Sequence, residues 1–386
     1  MYDTAEQTAQ DLLLHPDLDE RGRQVFAKHL RQFVFGPARA AAQGAFAQRV
    51  APALAKESPQ AAGDRRRVRE ALLREPEYQF FSDLHRVSQE LIWNSTADSV
   101  EREAPRLREQ FLALRDPQGS LRLDPQLQVP EYLRRMDTHC MPGSYYTEWT
   151  ADDLSNGALY DRGGFLYTPG AGPAGDGAGR TSLEFLRTHV PGYTPKRMLD
   201  LGCGTASPLL AWAREFPQTE IHGIDIGAPL LRYAHLRAEQ QRVVLHLRQA
   251  DAAATGYPDG HFDLVTSHIM FHETEADAIP PILAEAYRVL APGGILLIVD
   301  LPDAGRIPDV FQQVVFDGDA FYNNEHFWMK MHDLDWPAQL QRAGFAPASI
   351  EIGFAPMQMY VPETAQSPSR WSTGRFGFFA AMARKA

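Results

Sequence analysis

The chain has 386 residues, 44% of them hydrophobic, which suits one large or two ordinary domains around a substantial core. Its formal charge of −11 disfavours nucleic acid or an anionic membrane as partner, the more so because residues 1–150 are nearly balanced and the excess falls on the C-terminal part. Cys140 and Cys203 are too few for a disulfide framework or a thiolate metal site, and no apolar run approaches the roughly eighteen residues that span a bilayer. With a polar, acidic N-terminus in place of a secretory signal, the expectation is a cytoplasmic globular protein.

From the N-terminus, apolar residues recur at three- and four-residue spacing through 3–15, 21–35, 38–55, 64–75, 77–93 and 97–115, predicting a helix for each stretch. The basic run Arg65, Arg66, Arg67 and Arg69 lies beside Asp64 and Glu70 and reads as a solvated helix face. From about 116 to 180 the texture turns to Pro, Gly, Asp and aromatics, and GAGPAGDGAG (170–179) reads as a flexible connector. Without a preceding strand or a following Lys-Ser/Thr it is not a phosphate loop.

Beyond 180 the pattern alternates. Strands are expected at 197–201, 219–226, 243–250, 262–268 and 295–301, with helices at 181–190, 207–215, 228–240, 279–290 and 336–345. An irregular insert follows residue 301, and ASIEIGF (348–354) and FGFFAAMARK (376–385) read as a closing antiparallel hairpin at the sheet edge. The fold class is α/β, a doubly wound Rossmann-like sheet of seven strands with the last antiparallel, behind an N-terminal all-α domain. The expected division is a helical cap or dimerisation domain at 1–150, a Gly-rich linker and lid at 151–180, and a catalytic domain at 181–386.

The most informative stretch is Arg197-Met-Leu-Asp-Leu-Gly-Cys-Gly-Thr-Ala-Ser207, an apolar strand that runs into a glycine turn opening a helix. Such a turn lets the main chain approach a nucleotide-like ligand. Asp200, Asp225 and Asp251 stand at or near the ends of three successive strands and would line one crevice. This ordered set, LDLGCGTAS, HGIDI, QADAAA, FDLVTSHIMFHE and AEAYRVLAPGGILLIVD, resembles the class I S-adenosylmethionine-dependent methyltransferases over about residues 181–386. The resemblance implies that Gly202, Cys203 and Gly204 pass the methionine part of the cofactor with Asp200 nearby. It implies that Asp225, with Ile226 beside it, grips the ribose hydroxyls, that Asp251 and Ala252 meet the adenine, and that Ser267 and His268 face the sulfonium. Ala206 stands where a third glycine is common.

Two other readings stay open. A nicotinamide or flavin oxidoreductase would share the strand and turn, although Gly202-x-Gly204-x-x-Ser207 lacks the third glycine and Asp200 would meet a pyrophosphate. A cofactor-binding regulator without turnover would use the helical part for a protein partner. The methyltransferase reading expects a small-molecule acceptor whose acceptor atom (O, N, S or C) is undetermined, S-adenosylmethionine as cofactor, no nucleic-acid or membrane partner, and a homodimer through the N-terminal helices.

Chemistry is expected just beyond the fourth strand. His272 is the first candidate for a base or acceptor-orienting residue, with His268 second and Glu273 able to hold the His272 tautomer. Two histidines four apart could ligate a metal, but the pattern is not His-Glu-x-x-His and no third ligand is placed, so none is expected. Met270 and Phe271, with Tyr322, His326, Trp328 and His332 from the insert, suit the wall of an acceptor pocket. Tyr146 is a candidate for the same wall, and Tyr160 and Arg162 for a lid over the cofactor.

Overall fold

The computed structural model describes residues 7, 12–168, 172–301, 307, 309–361, 363 and 370–386. The described chain opens into helix Leu18–Phe33, started by a reciprocal capping box in which Asp17 accepts from the Glu20 amide (2.8 Å) and Glu20 from the Asp17 amide (2.9 Å). Helical backbone continues to Glu57 through two π-helical stretches, Val34–Ala38 and Phe46–Val50, the first around Pro37, whose missing N–H cannot extend a regular ladder.

The helices expected at 77–93 and 97–115 are one helix, Pro76–Ala113. The polar residues between them do not break it, because Ser95 and Thr96 return their hydroxyls to the Ile92 carbonyl at 2.9 and 3.1 Å. Pro76 at the first helical positions sets its start.

The sheet contains β1 (Ser120–Arg122), β2 (Arg197–Leu201), β3 (Glu220–Asp225), β4 (His246–Gln249), β5 (Phe262–His268), β6 (Leu290–Asp300), β7 (Ile350–Val361) and β8 (Arg370–Arg384). Their order is β1-β4-β3-β2-β5-β6-β8-β7, parallel from β1 to β6, with β8 antiparallel between β6 and β7. Among the described residues the sheet therefore has eight strands where the sequence predicts seven. The extra one, β1, comes from the region assigned to an all-α domain, and is too short to show an alternating pattern. It is pinned beside β4 by the Ser120 amide on the Leu245 carbonyl (3.0 Å), and a Cβ on Gly119 would lie 2.3 Å from that same carbonyl. The Pro292-Gly293-Gly294 turn lies within β6, where pairing with β5 shifts register between Phe262 and Leu264.

Helices cover both faces. Ile279–Val289 and Trp336–Ala343 pack one apolar layer, and Gly177–His189, Ser207–Glu215 and Ala228–Gln240 the other. The Gly-rich segment is no free connector at its end, because Gly177–Gly179 open a helix and a Cβ on Gly179 would fall 2.2 Å from the Pro208 carbonyl oxygen. Residues 169–171 of that segment lie outside the described residues. The insert after β6 is also ordered, with helix Val310–Tyr322 capped by Asp309, whose Oδ1 accepts from the Phe311 amide at 2.9 Å. Phe311, Val314 and Val315 join the N-terminal helices in one apolar cluster. No helix among the described residues is long and apolar enough to cross a membrane.

Helix Ser155–Tyr167 lies between the N-terminal helices and helix Ala228–Gln240, and its two adjacent glycines separate packing from propensity. A Cβ on Gly163 would sit 2.3 Å from the Trp93 ring, whereas nothing lies within 4 Å of one on Gly164. Gly163→Ala is expected to cost about 1–3 kcal/mol in urea unfolding. Gly164→Ala should be neutral or stabilise by up to about 1 kcal/mol, so equal effects would contradict this packing.

Candidate functional site

The strand order reverses at β2, which has β3 on one side and β5 on the other, so a crevice opens at the carboxyl ends of these strands. There the chain turns through Gly202 (φ +70°), Gly204 (φ +51°) and Ala206 (φ +57°) into helix Ser207–Glu215. The space at Gly202 is taken, since a Cβ would come within 2.7 Å of Met270. Asp225, ending β3, accepts the Gly204 amide on one oxygen and the Gly227 amide on the other, each at 2.8 Å. Burial pushes its carboxyl up to about 6 against those two backbone donors.

Asp200, within β2, is fully buried and holds β5 in place. Its Oδ1 accepts from Thr266 at 2.7 Å and contacts His268 Nδ1 at 2.8 Å, while its Oδ2 is buried with no protein donor. The other ring nitrogen of His268 meets Ser182 Oγ at 2.7 Å. With both nitrogens occupied, His268 braces β2, β5 and helix Gly177–His189 at the cavity edge. Ile269 follows with φ +55°, a conformation strained for a β-branched side chain, and turns the chain toward Met270 and His272.

From there a cavity of about 480 Å³ extends under the N-terminal helices. Trp93, Tyr132, Tyr160, Tyr167, Phe316 and Trp328 supply aromatic walls, and His139, Tyr145, His272 and Glu273 form its polar end. His272 Nδ1 lies 2.8 Å from Asp300 Oδ1, and Asp300 also accepts the amides of Met270, Phe271 and Leu301. Glu273 Oε1 accepts from the Tyr145 hydroxyl at 2.7 Å and lies 2.7 Å from His139 Nε2 and 3.5 Å from His272 Nε2. His139 Nδ1 is 2.6 Å from Glu325 Oε1, an ion-pair contact in which the N–H points off the line to the oxygen.

Burial alone would push His139 down, yet Glu325 and Glu273 hold it up at about 9. Burial likewise opposes charge on His272, but Asp300 and Glu273 raise it well above the usual range. Glu273 shows the reverse balance, with burial outweighed by the two histidines, which hold its carboxyl far below its usual value. Cys203 lines the cavity and Cys140 follows His139 in the chain, and burial pushes Cys140 up to about 12 and Cys203 well above its ordinary value.

Of the residues expected here, Gly202, Cys203, Gly204, Asp225, Ile226, Asp251, Ala252, Tyr160, His268, Met270, His272 and Trp328 line this cavity. Others are placed elsewhere. Asp200 and Ser267 are buried within the strands, and Phe271 packs against Trp336 in the core. Arg162, expected as a lid residue, bonds Gln7 and Gln24 among the N-terminal helices. Tyr146 and Tyr322 fall outside the lining and His326 is exposed. The side chain of His332 is outside the described residues.

The sequence reading missed His139, Tyr145, Glu325, Asp300 and Trp93. Tyr145 adjoins the expected Tyr146, and Asp300 is the acid in the strand segment ILLIVDL, the signal that marks it. His139 stands alone in a loop and takes φ +59°, with no pattern around it to mark it.

Residues 198–294 match the family model of a methyltransferase domain. The demethylmenaquinone methyltransferase of Thermus thermophilus is 40% identical over 108 residues, 28% of this chain and 48% of that protein. A malonyl-[acyl-carrier protein] O-methyltransferase of Enterobacter lignolyticus is 30% identical over 176 residues, covering 46% and 66% respectively. Methyltransferase GfsG of Streptomyces halstedii is 28% identical over 210 residues, covering 52% and 71%. The chain spans about half the length of the first of these relatives.

With the turn, the strand order and the row of acids in place, residues 198–294 are a methyltransferase domain of the class I kind. Its cofactor is S-adenosylmethionine. The residues present fit that group. Asp225 and Asp251 present carboxylates to the cavity beside a positive-φ glycine turn, and Asp200, two residues before that turn, keeps a buried Oδ2 with no protein donor.

Asp225→Ala is expected to weaken S-adenosylmethionine binding roughly tenfold to hundredfold in calorimetry, the loss of a charge-assisted partner worth about 1.5–3 kcal/mol. Because its carboxyl is raised to about 6, Asp225 becomes neutral as pH falls through that value. Affinity should be flat above about pH 7 and fall by about tenfold per unit below 6. A pH-independent affinity between 7.5 and 5 would remove Asp225 from the binding contacts.

Proposed function

We propose that the protein transfers a methyl group from S-adenosylmethionine to a small, partly apolar acceptor held between the sheet and the helical N-terminal region. One observation carries the reading. A single cavity joins the Gly202–Gly204 turn, Asp225 and Asp251 to the aromatic walls and the polar end at His139, His272 and Glu273.

Gly202 and Gly204 would lie along the methionine part, Asp225 would accept from the ribose hydroxyls and Asp251 would face the adenine. Bound there, S-adenosylmethionine supplies a methyl group on a sulfonium, already an electrophile with a good leaving group. What this chain adds is position. Trp93, Tyr160 and Tyr167 exclude water and hold the acceptor, and alignment of that kind can contribute about 7–11 kcal/mol to lowering the barrier. His272, oriented by Asp300 and held in its charged form, lines the cavity and would orient the acceptor and stabilise its anionic form, a contribution of about a hundred- to thousandfold.

Residues 1–150 serve in this reading as the cap, because Arg31, Phe35, Trp93, Tyr132, His139 and Tyr145 from that stretch all line the cavity. The relatives act by name on demethylmenaquinone and on malonyl-acyl carrier protein, two unlike acceptors. Their shared segment favours a common cofactor, and the acceptor is set by the cap.

The test is transfer of label from methyl-tritiated S-adenosylmethionine to a panel of phenol, enol, amine and thiol acceptors. His272→Ala should lower turnover at least about hundredfold while cofactor affinity stays within about twofold. Cofactor binding without transfer to any acceptor would favour a non-catalytic protein instead, and a turnover loss below about tenfold would reduce His272 to packing.

A further inference from the structure

We propose that His139, His272 and Glu273 form a binding site for one divalent transition-metal ion at the polar end of the cavity. Their ligand atoms all lie within 4.8 Å of one another. The pattern seen in the sequence, His268 with His272, is not the one the fold assembles. His139 arrives from a loop more than a hundred residues away and supplies the third ligand that spacing alone lacked.

Three features make this more than a chance cluster. First, each histidine has its Nδ1 against a buried carboxylate, His272 on Asp300 at 2.8 Å and His139 on Glu325 at 2.6 Å. A carboxylate on the far nitrogen sets the tautomer and ring orientation of a metal-binding histidine and increases its basicity. Nε2 of each ring is the atom turned toward Glu273, and an ion entering there would displace the proton it carries.

Second, the spacings suit a metal. Nε2 of His139 and His272 lie 2.7 and 3.5 Å from Glu273 Oε1. Ligands about 2.0–2.2 Å from a common ion stand about 3–3.5 Å apart, so small shifts of these side chains complete the set. Third, the Tyr145 hydroxyl donates to Glu273 at 2.7 Å and orients the carboxylate.

Two imidazoles and one carboxylate are the donor set of catalytic zinc and non-haem iron(II) sites, which keep open positions for water or substrate. Here the open side faces the cavity, with Trp328 and Tyr167 around it. An acceptor carrying an oxygen donor, such as a phenol, enol or carboxylate, would complete the coordination. The ion would then favour the oxyanion form of that donor, and His272 would act through the metal. That role rests on the methyltransferase reading, whereas the metal site itself does not.

The experiment uses the full chain after dialysis against a chelator, titrated with Co²⁺ under visible absorption and with Zn²⁺ and Fe²⁺ by calorimetry, the iron anaerobically. The expected result is one equivalent per chain with a d–d spectrum of four- to six-coordinate Co²⁺. His139→Ala and His272→Ala should each weaken binding at least about hundredfold. Glu325→Gln, which touches no metal, should weaken it about ten- to hundredfold, as loss of an outer carboxylate does, and provides the readout if a histidine variant fails to fold.

Substoichiometric binding, or affinity unchanged in His139→Ala and Glu325→Gln, would overturn the site and leave an ion-paired cluster only. S-adenosylmethionine titration of the same samples separates the two readings. Cofactor binding with no metal overturns the metal site alone. Metal binding without cofactor binding supports the site and overturns the methyltransferase reading.

Discussion

Buried carboxylates at the carboxyl ends of the central parallel strands are the constraint on which this structure turns. A carboxylate removed from water costs several kcal/mol unless donors meet it, and here each meets donors from the neighbouring strand or the following loop. Asp200 of β2 reaches Thr266 and His268 of β5, Asp225 of β3 holds the amides of Gly204 and Gly227, and Asp300 of β6 collects two amides and a ring nitrogen from the segment after β5. The loops of the crevice are thus tied crosswise, each to an acid on an adjacent strand. The positions of Gly204 and His272 follow from strand register more than from their own loops.

The polar end of the cavity extends this arrangement beyond the sheet. His139 comes from the loop before the domain, His272 and Glu273 from the turn after β5, and Glu325 from the insert after β6. Only when the N-terminal helices, the insert and the sheet pack together do these four meet. The strained backbone at His139 and Ile269 is held by that packing, consistent with strain collecting where side chains must be aimed.

The sheet was legible because parallel strands buried on both faces leave apolar runs that end abruptly at glycine or an acid. β2 and β5 were read to the residue, and the glycine turn, Asp225, Asp251 and His272 all reached the cavity. What could not be read depends on partners remote in the chain. β1 is a strand only because β4 offers an edge, and the helix runs on through Asn94-Ser95-Thr96, where two hydroxyls return to a helix carbonyl. His139 and Glu325 carry no periodic or motif signal, since their meaning lies in a meeting of loops separated by nearly two hundred residues. Tyr146 and Phe271 failed by one position, because a chain passing a cavity presents alternate side chains to it.

The protein's two cysteines flank this machinery, Cys203 inside the glycine turn and Cys140 next to His139, yet burial holds both thiols in the protonated form. The thiolate is the species that oxidants and alkylating agents attack. A chain that places its sulfur beside the ligand and keeps it un-ionised gains small, polarizable packing atoms without gaining a redox liability. At this site the two sulfurs are thereby held in their less nucleophilic form.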